Sequence, residues 1–213
     1  MADLDEMRRD ARAIFTDALR AVDARRAVLG VVEVRDDELR VCDARFRLRA
    51  SDEVSGLSGL PRKIYSVAVG KAAAAMASAL DERLGDRLAC GVLSAPPTDL
   101  KLAPRWRSFE GGHPLPNESS LAAARAAFEL LRGADDPDGL VVFLVSGGGS
   151  AMVEWPRDER VTLADLREAN RVLVSCGASI GEINAVRRAL SAVKGGGLSA
   201  HAPRAAQVTL IVS

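Results

Sequence analysis

Ser146-Gly147-Gly148-Gly149-Ser150 is the stretch of this chain best suited to chemistry. Glycine tolerates positive φ, so a glycine turn can aim successive backbone N–H groups at one point and let a ligand approach the main chain. Such a concavity suits an anion, most often a phosphate, and the two serines add hydroxyl donors. A plain tight turn would have the same composition. The phosphate reading gains from what precedes it. Leu140 to Val145 is an unbroken apolar run, too short for an independent helix and rich in valine, so it reads as a strand buried on both faces.

A second candidate is Lys71. Lys63 to Val69 reads as a strand, Gly70 turns the chain, and an alanine-rich helix runs from about Ala72 to Leu84, stopped at Gly85. A lysine at a helix N-terminus faces the positive end of the dipole and is better explained by an adjacent anion than by solvent alone. The plainer reading is a solvated lysine. The segment is not a Walker A loop, because Ala72 replaces the hydroxyl residue and Tyr65 stands where the first glycine belongs.

Two further polar clusters follow. EGGHPLPN, residues 110–117, places Glu110 and His113 on one restricted loop, where they could hydrogen-bond a small polar substrate; a lone histidine is more often structural. Asn184 and Arg187 are three residues apart and share a helical face, with Arg188 flanking it; a solvated surface charge is the plainer reading for one of these cations. Lys194 then precedes Gly195-Gly196-Gly197, a second flexible polar loop.

The elements that must position these groups alternate. Strands are expected near 63–69, 88–94, 106–110, 140–145 and 207–213. Helices are expected from Glu118 to Leu131, capped by Asn117 and ended by Gly133, from Thr162 to about Ser175, and from a Ser179/Glu182 capping box through Ala192. The pattern predicts an α/β fold, a largely parallel sheet with helices on both faces in a Rossmann-like three-layer sandwich. Ligands then gather beyond the carboxyl ends of the strands, which puts the Lys71, Glu110 and Ser146 segments on one rim. Residues 62–213 form the core sheet. Residues 1–61 add an amphipathic helix from Leu4 to Val22 expected to pack through its apolar face, a hairpin or pair of short strands between Val31 and Leu48, and a loop from Ser51 to Pro61.

Composition narrows the function classes. Twenty-nine Lys and Arg balance 29 Asp and Glu, so there is no net basic field for nucleic acid or an acidic membrane. No apolar run approaches the roughly 20 residues of a membrane span, and the charged MADLDEMRRD start lacks a signal-peptide core. Cys42, Cys90 and Cys176 are odd in number and far apart, which fits neither a metal knuckle nor a disulfide framework. The default is a cytoplasmic protein whose cysteines act as small buried apolar residues. No metal-ligating group stands out, and oligomeric state is left open. Neither glycine loop has GxGxxG spacing, which disfavours a nicotinamide dehydrogenase. The last strand stops at Ser213, where a loop on the same rim should begin, so the reading expects a fragment or a second half of the site in further sequence.

VGKAA at 69–73, EGGHPLPNESS at 110–120, LVSGGGSA at 144–151, GASIGEINAVRRALSAVKGG at 177–196 and the terminal TLIVS together resemble the N-terminal domain of the type II glycerate kinases, whose C-terminal domain, known as MOFRL, is expected to be absent from residues 1–213. The resemblance implies that residues 1–213 are one N-terminal α/β domain. It implies ATP-dependent phosphorylation of the 2-hydroxyl of D-glycerate or a related hydroxy acid to give 2-phosphoglycerate, with Mg2+ or another divalent metal, in a cleft of which this chain supplies half. Lys71 then looks like the essential lysine, and Ser146, Gly147, Gly148, Gly149 and Ser150 like a phosphate or substrate cradle. Glu110, His113, Asn184, Arg187 and Lys194 match cleft-facing positions, with His113 a candidate to accept the hydroxyl proton and Arg187 to pair with the glycerate carboxylate. The alternatives are a non-catalytic α/β module binding a phosphorylated metabolite and an inactive partial kinase.

Overall fold

A computed structural model describes residues 3–48 and 62–212; the Ser51–Pro61 loop expectation lies outside them. Helix α1 (Leu4–Ala21) starts at Asp3, whose side chain accepts the Asp5 amide. Its apolar face is not packed: Met7, Ile14 and Phe15 are all more than half exposed, and no residue of α1 is buried. The periodicity made a helix, as expected, but among the described residues nothing covers its stripe. Helix α2 (Ala24–Val31) leads into three short antiparallel strands, β1 (Val32–Arg35), β2 (Glu38–Val41) and β3 (Ala44–Arg47), one more than the expected hairpin. The extra reversal falls at Cys42-Asp43, with Cys42 at φ 51°.

The main sheet then forms: β4 (Ile64–Val69), α3 (Ala73–Leu84), β5 (Leu88–Ala95), β6 (Trp106–Glu110), α4 (Glu118–Ala134), β7 (Leu140–Ser146), the single turn α5 (Gly149–Met152), α6 (Leu163–Ser175), α7 (Ile180–Leu190) and β8 (Ala206–Val212). All five main-sheet strands run parallel in the order β6-β5-β4-β7-β8. Alternation on β7 explains its continuous apolar run. Leu140, Val142 and Leu144 pack with α3 and the small N-terminal sheet on one face, while Val141 and Phe143 pack with α4 on the other. The expected α/β fold, a parallel sheet covered on both faces, is what forms.

Two helix ends and one added turn differ from the sequence reading. Helix α4 runs through Gly133 to Ala134, whose buried methyl holds the last turn against the sheet. Helix α7 stops at Leu190 rather than Ala192, because Ser191 is extended and bridges Pro156. The turn α5 was not anticipated; four residues carry too little periodicity to be read. Cys42 and Cys176 are exposed rather than buried.

Strand order fixes where a ligand can sit. The chain builds outward from β4 through β5 to β6, then crosses back to β7 on the other side of β4. The carboxyl ends of β4 and β7 are therefore adjacent at the point where the order reverses, the crevice in which open α/β sheets bind ligands.

Candidate active site

The two strand ends at this crevice are laced together. Beyond β4, Gly70 has φ 120°, and a Cβ there would lie 2.4 Å from both Ser146 O and Ser146 Oγ, so only glycine permits the approach. The Lys71 amide donates to Gly147 O at 2.8 Å, and the Ala72 amide donates to Ser146 Oγ at 3.0 Å. Ser146 is buried, and its hydroxyl oxygen accepts a bond that shapes the crevice. Ser150, Gly147 and Lys71 are exposed on the rim.

Gly148 is the hub. Its φ is 86°, and a Cβ built on it would stand 2.6 Å from His113 Cδ2, 3.1 Å from His113 Nε2 and 3.3 Å from Lys71 Cγ. The glycine turn thus passes between the lysine stem and the imidazole, and three segments far apart in sequence meet at one backbone position. The His113 loop is held from below by Ser120, which is buried. Its Oγ accepts the Gly112 and Asn117 amides at 3.0 and 3.1 Å and donates to Asn117 Oδ1 at 3.0 Å. The same pair forms the capping box of α4, so the cap that starts the helix also pins the loop.

A cavity of about 600 Å3 opens beside the turn. His113, Gly148 and Ser150 wall it on the sheet side, and Asn170, Arg171 and Arg187 on the side of α6 and α7. Arg187 Nε is buried there without a hydrogen-bond partner, a donor group left for something that enters. The polar lining is cationic or neutral, which suits an anion.

The other sequence candidates fall elsewhere. Asn184 is half-buried on α7 but does not line the cavity. Glu110 ends edge strand β6, two strands from β4, roughly 10 Å by ordinary strand spacing. Its carboxylate forms no hydrogen bond or ion pair among the described residues. Lys194 is largely buried and ion-paired with Glu154, a carboxylate that is only 3% exposed. Burial holds the Lys194 ammonium below the usual lysine value; Glu154 opposes this, and the charge of Arg187 adds to it. Glu154 was missed in the sequence, although an acid inside AMVEW is itself a signal of a buried charge seeking a partner. Asn170 and Arg171 carried no such signal, because the 600 Å3 cavity that gives them a role is created only by the fold.

Residues 10–213 match the family described as Domain of unknown function (DUF4147). The chain belongs to the DUF4147 family. It is 37% identical over 197 residues to a glycerate 2-kinase of Pyrococcus horikoshii, a match covering 92% of this chain and 41% of that one. A solved structure from Pyrococcus horikoshii OT3 superposes with a TM-score of 0.80 at 34% identity, covering 96% of this chain and 43% of the other. A solved glycerate kinase of Thermotoga maritima gives a TM-score of 0.67 at 38% identity, covering 71% and 36%. This DUF4147 chain therefore spans about two fifths of the length of the relatives it matches. The resemblance drawn from the five motifs agrees with these relatives.

Proposed function

We propose that this chain supplies one half of the site of an ATP-dependent glycerate 2-kinase, which transfers a phosphoryl group to the 2-hydroxyl of D-glycerate and yields 2-phosphoglycerate. The observation that carries the reading is the position of Gly148, in contact range of both Lys71 and His113 at the point where the strand order reverses. Phosphoryl transfer asks a protein for positioning and for positive charge, with little covalent help. Lys71 brings compact charge to the transferring oxygens. The backbone amides of Gly147 to Gly149 hold a phosphate without adding net charge. Arg187, with its free buried Nε, pairs with the carboxylate of the acid, and His113 accepts the hydroxyl proton.

The residues present fit a nucleotide phosphate. A cradle that a single Cβ would fill, flanked by an exposed lysine, is the donor set a polyphosphate needs. Lys71 and the glycine turn would hold ATP, which supplies the phosphoryl group when bound. A divalent metal would be held mainly by the nucleotide phosphates. Among the described residues no group of three or more His, Cys, Asp or Glu side chains comes together to hold one independently. Nor is any helix among the described residues long and apolar enough to cross a membrane.

Binding of ATP and of D-glycerate to the 213-residue chain, measured by calorimetry beside a coupled assay for ADP, tests the reading. Lys71→Ala weakens ATP and Arg187→Ala weakens glycerate, each by about tenfold or more, the scale of a lost charge-assisted bond. Binding of D-glycerate with no binding of ATP favours a non-catalytic metabolite-binding module. Failure to bind either ligand overturns both.

A further inference from the structure

Glu154 takes no part in the chemistry above, yet it is the most elaborately satisfied carboxylate near the site. It lies two residues beyond α5, on the segment leaving the glycine turn. Its Oε1 accepts from Ser191 Oγ and, at 3.0 Å, from the Trp155 amide, and its Oε2 accepts from Lys194 Nζ. Ser191, 1% exposed, accepts the Val193 and Lys194 amides in turn, at 3.2 and 3.3 Å.

Around this carboxylate the two segments are stitched along their backbones. The Ala192 amide donates to Trp155 O at 2.8 Å, and the Arg157 amide donates to Leu190 O at 2.9 Å. The stitched residues follow directly on α7, the helix that carries Arg187 to the cavity wall. The charge of Arg187 disfavours the Lys194 ammonium, and that of Glu154 favours it. A largely buried ammonium such as Lys194 needs a counter-charge beside it, and Glu154 is that charge.

We propose that Glu154 is a positioning residue of the anion site: it is the buried counter-charge of Lys194, and through that ion pair it ties the segment following α7 to the exit of the glycine turn so that Arg187 faces the cavity. The inference rests on the reading of the cavity as an anion site. It assigns Lys194 to support rather than to ligand contact.

The sign of one measurement separates this from its rivals. By simple electrostatics, removing a carboxylate near an anion site strengthens anion binding. Loss of a positioning residue weakens it. Inorganic phosphate is titrated into the 213-residue chain and into Glu154→Gln, which keeps shape and loses charge. The expected result is a drop in phosphate affinity of about tenfold, within the span of effects transmitted without direct contact. Ser191→Ala, which removes a hydroxyl but leaves the ion pair, lowers Tm and changes phosphate affinity little.

The chain has four lysines, Lys63, Lys71, Lys101 and Lys194, so side-chain NMR resolves each ammonium. In Glu154→Gln the Lys194 signal titrates at lower pH and the other three are unmoved. Unchanged or tighter phosphate binding in Glu154→Gln, or an unmoved Lys194 titration, overturns the proposal while leaving the anion site standing. Equal losses of affinity and Tm in Glu154→Gln and Ser191→Ala reduce it to a structural role and overturn it too. A parent chain that binds no phosphate overturns both this inference and the reading beneath it.

Discussion

The molecule contains two runs of three consecutive glycines, and they do different things. Gly147-Gly148-Gly149 sits at the reversal of strand order, with its middle residue in contact range of an imidazole and a lysine stem. Gly195-Gly196-Gly197 folds back on its own chain: a Cβ on Gly197 would lie 1.8 Å from Ala192 O, and one on Gly195 would lie 3.0 Å from Arg188 Cδ. The first triplet meets distant functional groups; the second meets its immediate sequence neighbours. Three glycines in a row therefore specify only a backbone that can come close to something. What they come close to is decided by topology.

Substitutions to alanine sharpen this contrast, since each probes what lies where a methyl would go. The largest loss is expected at Gly197, where the obstacle is a carbonyl of the main chain and cannot swing away. Gly197→Ala should cost about 3 kcal/mol in denaturant unfolding. Gly148→Ala comes next, at about 2 kcal/mol from its left-handed backbone and the crowded imidazole. It differs in kind, because it should also abolish measurable phosphate binding. Gly196→Ala, with φ 89° but open space around it, should lose about 1 kcal/mol of stability and leave phosphate affinity unchanged. Gly147→Ala meets nothing within 4 Å and has no left-handed φ, so its stability should stay within about 0.5 kcal/mol of the parent. Were Gly148→Ala to behave like Gly147→Ala in both measurements, the first triplet would be an ordinary turn and the contrast would disappear.

The strands were legible because each carries its own signature. Leu140 to Val145 is apolar throughout since both its faces are covered, and the three capping residues Asn117, Thr162 and Ser179 mark their helices by local hydrogen bonds alone. Lys71 and the glycine turn were legible as strand-end positions, and the parallel order brings those ends together. What the sequence hid is whatever depends on a distant partner. The end of α7 is set by Ser191, which is extended and bridges Pro156 far away in sequence, and no periodicity announces that. The apolar stripe of α1 was visible, but a stripe says only that a helix has a greasy side, not that the described residues cover it. Glu110 and Lys194 looked equivalent to Lys71 as charges in polar loops; edge position separates the first, and an ion pair the second.

The bond between the Ala72 amide and Ser146 Oγ joins residues 74 positions apart. Closing so large a loop costs entropy that only late, non-local pairing repays. A nascent or half-collapsed chain can hold a formed β4, a formed α3 and a flexible glycine stretch and still have no crevice between them. The crevice first exists when β7 docks beside β4, so the appearance of phosphate binding during refolding would time the docking of that one strand.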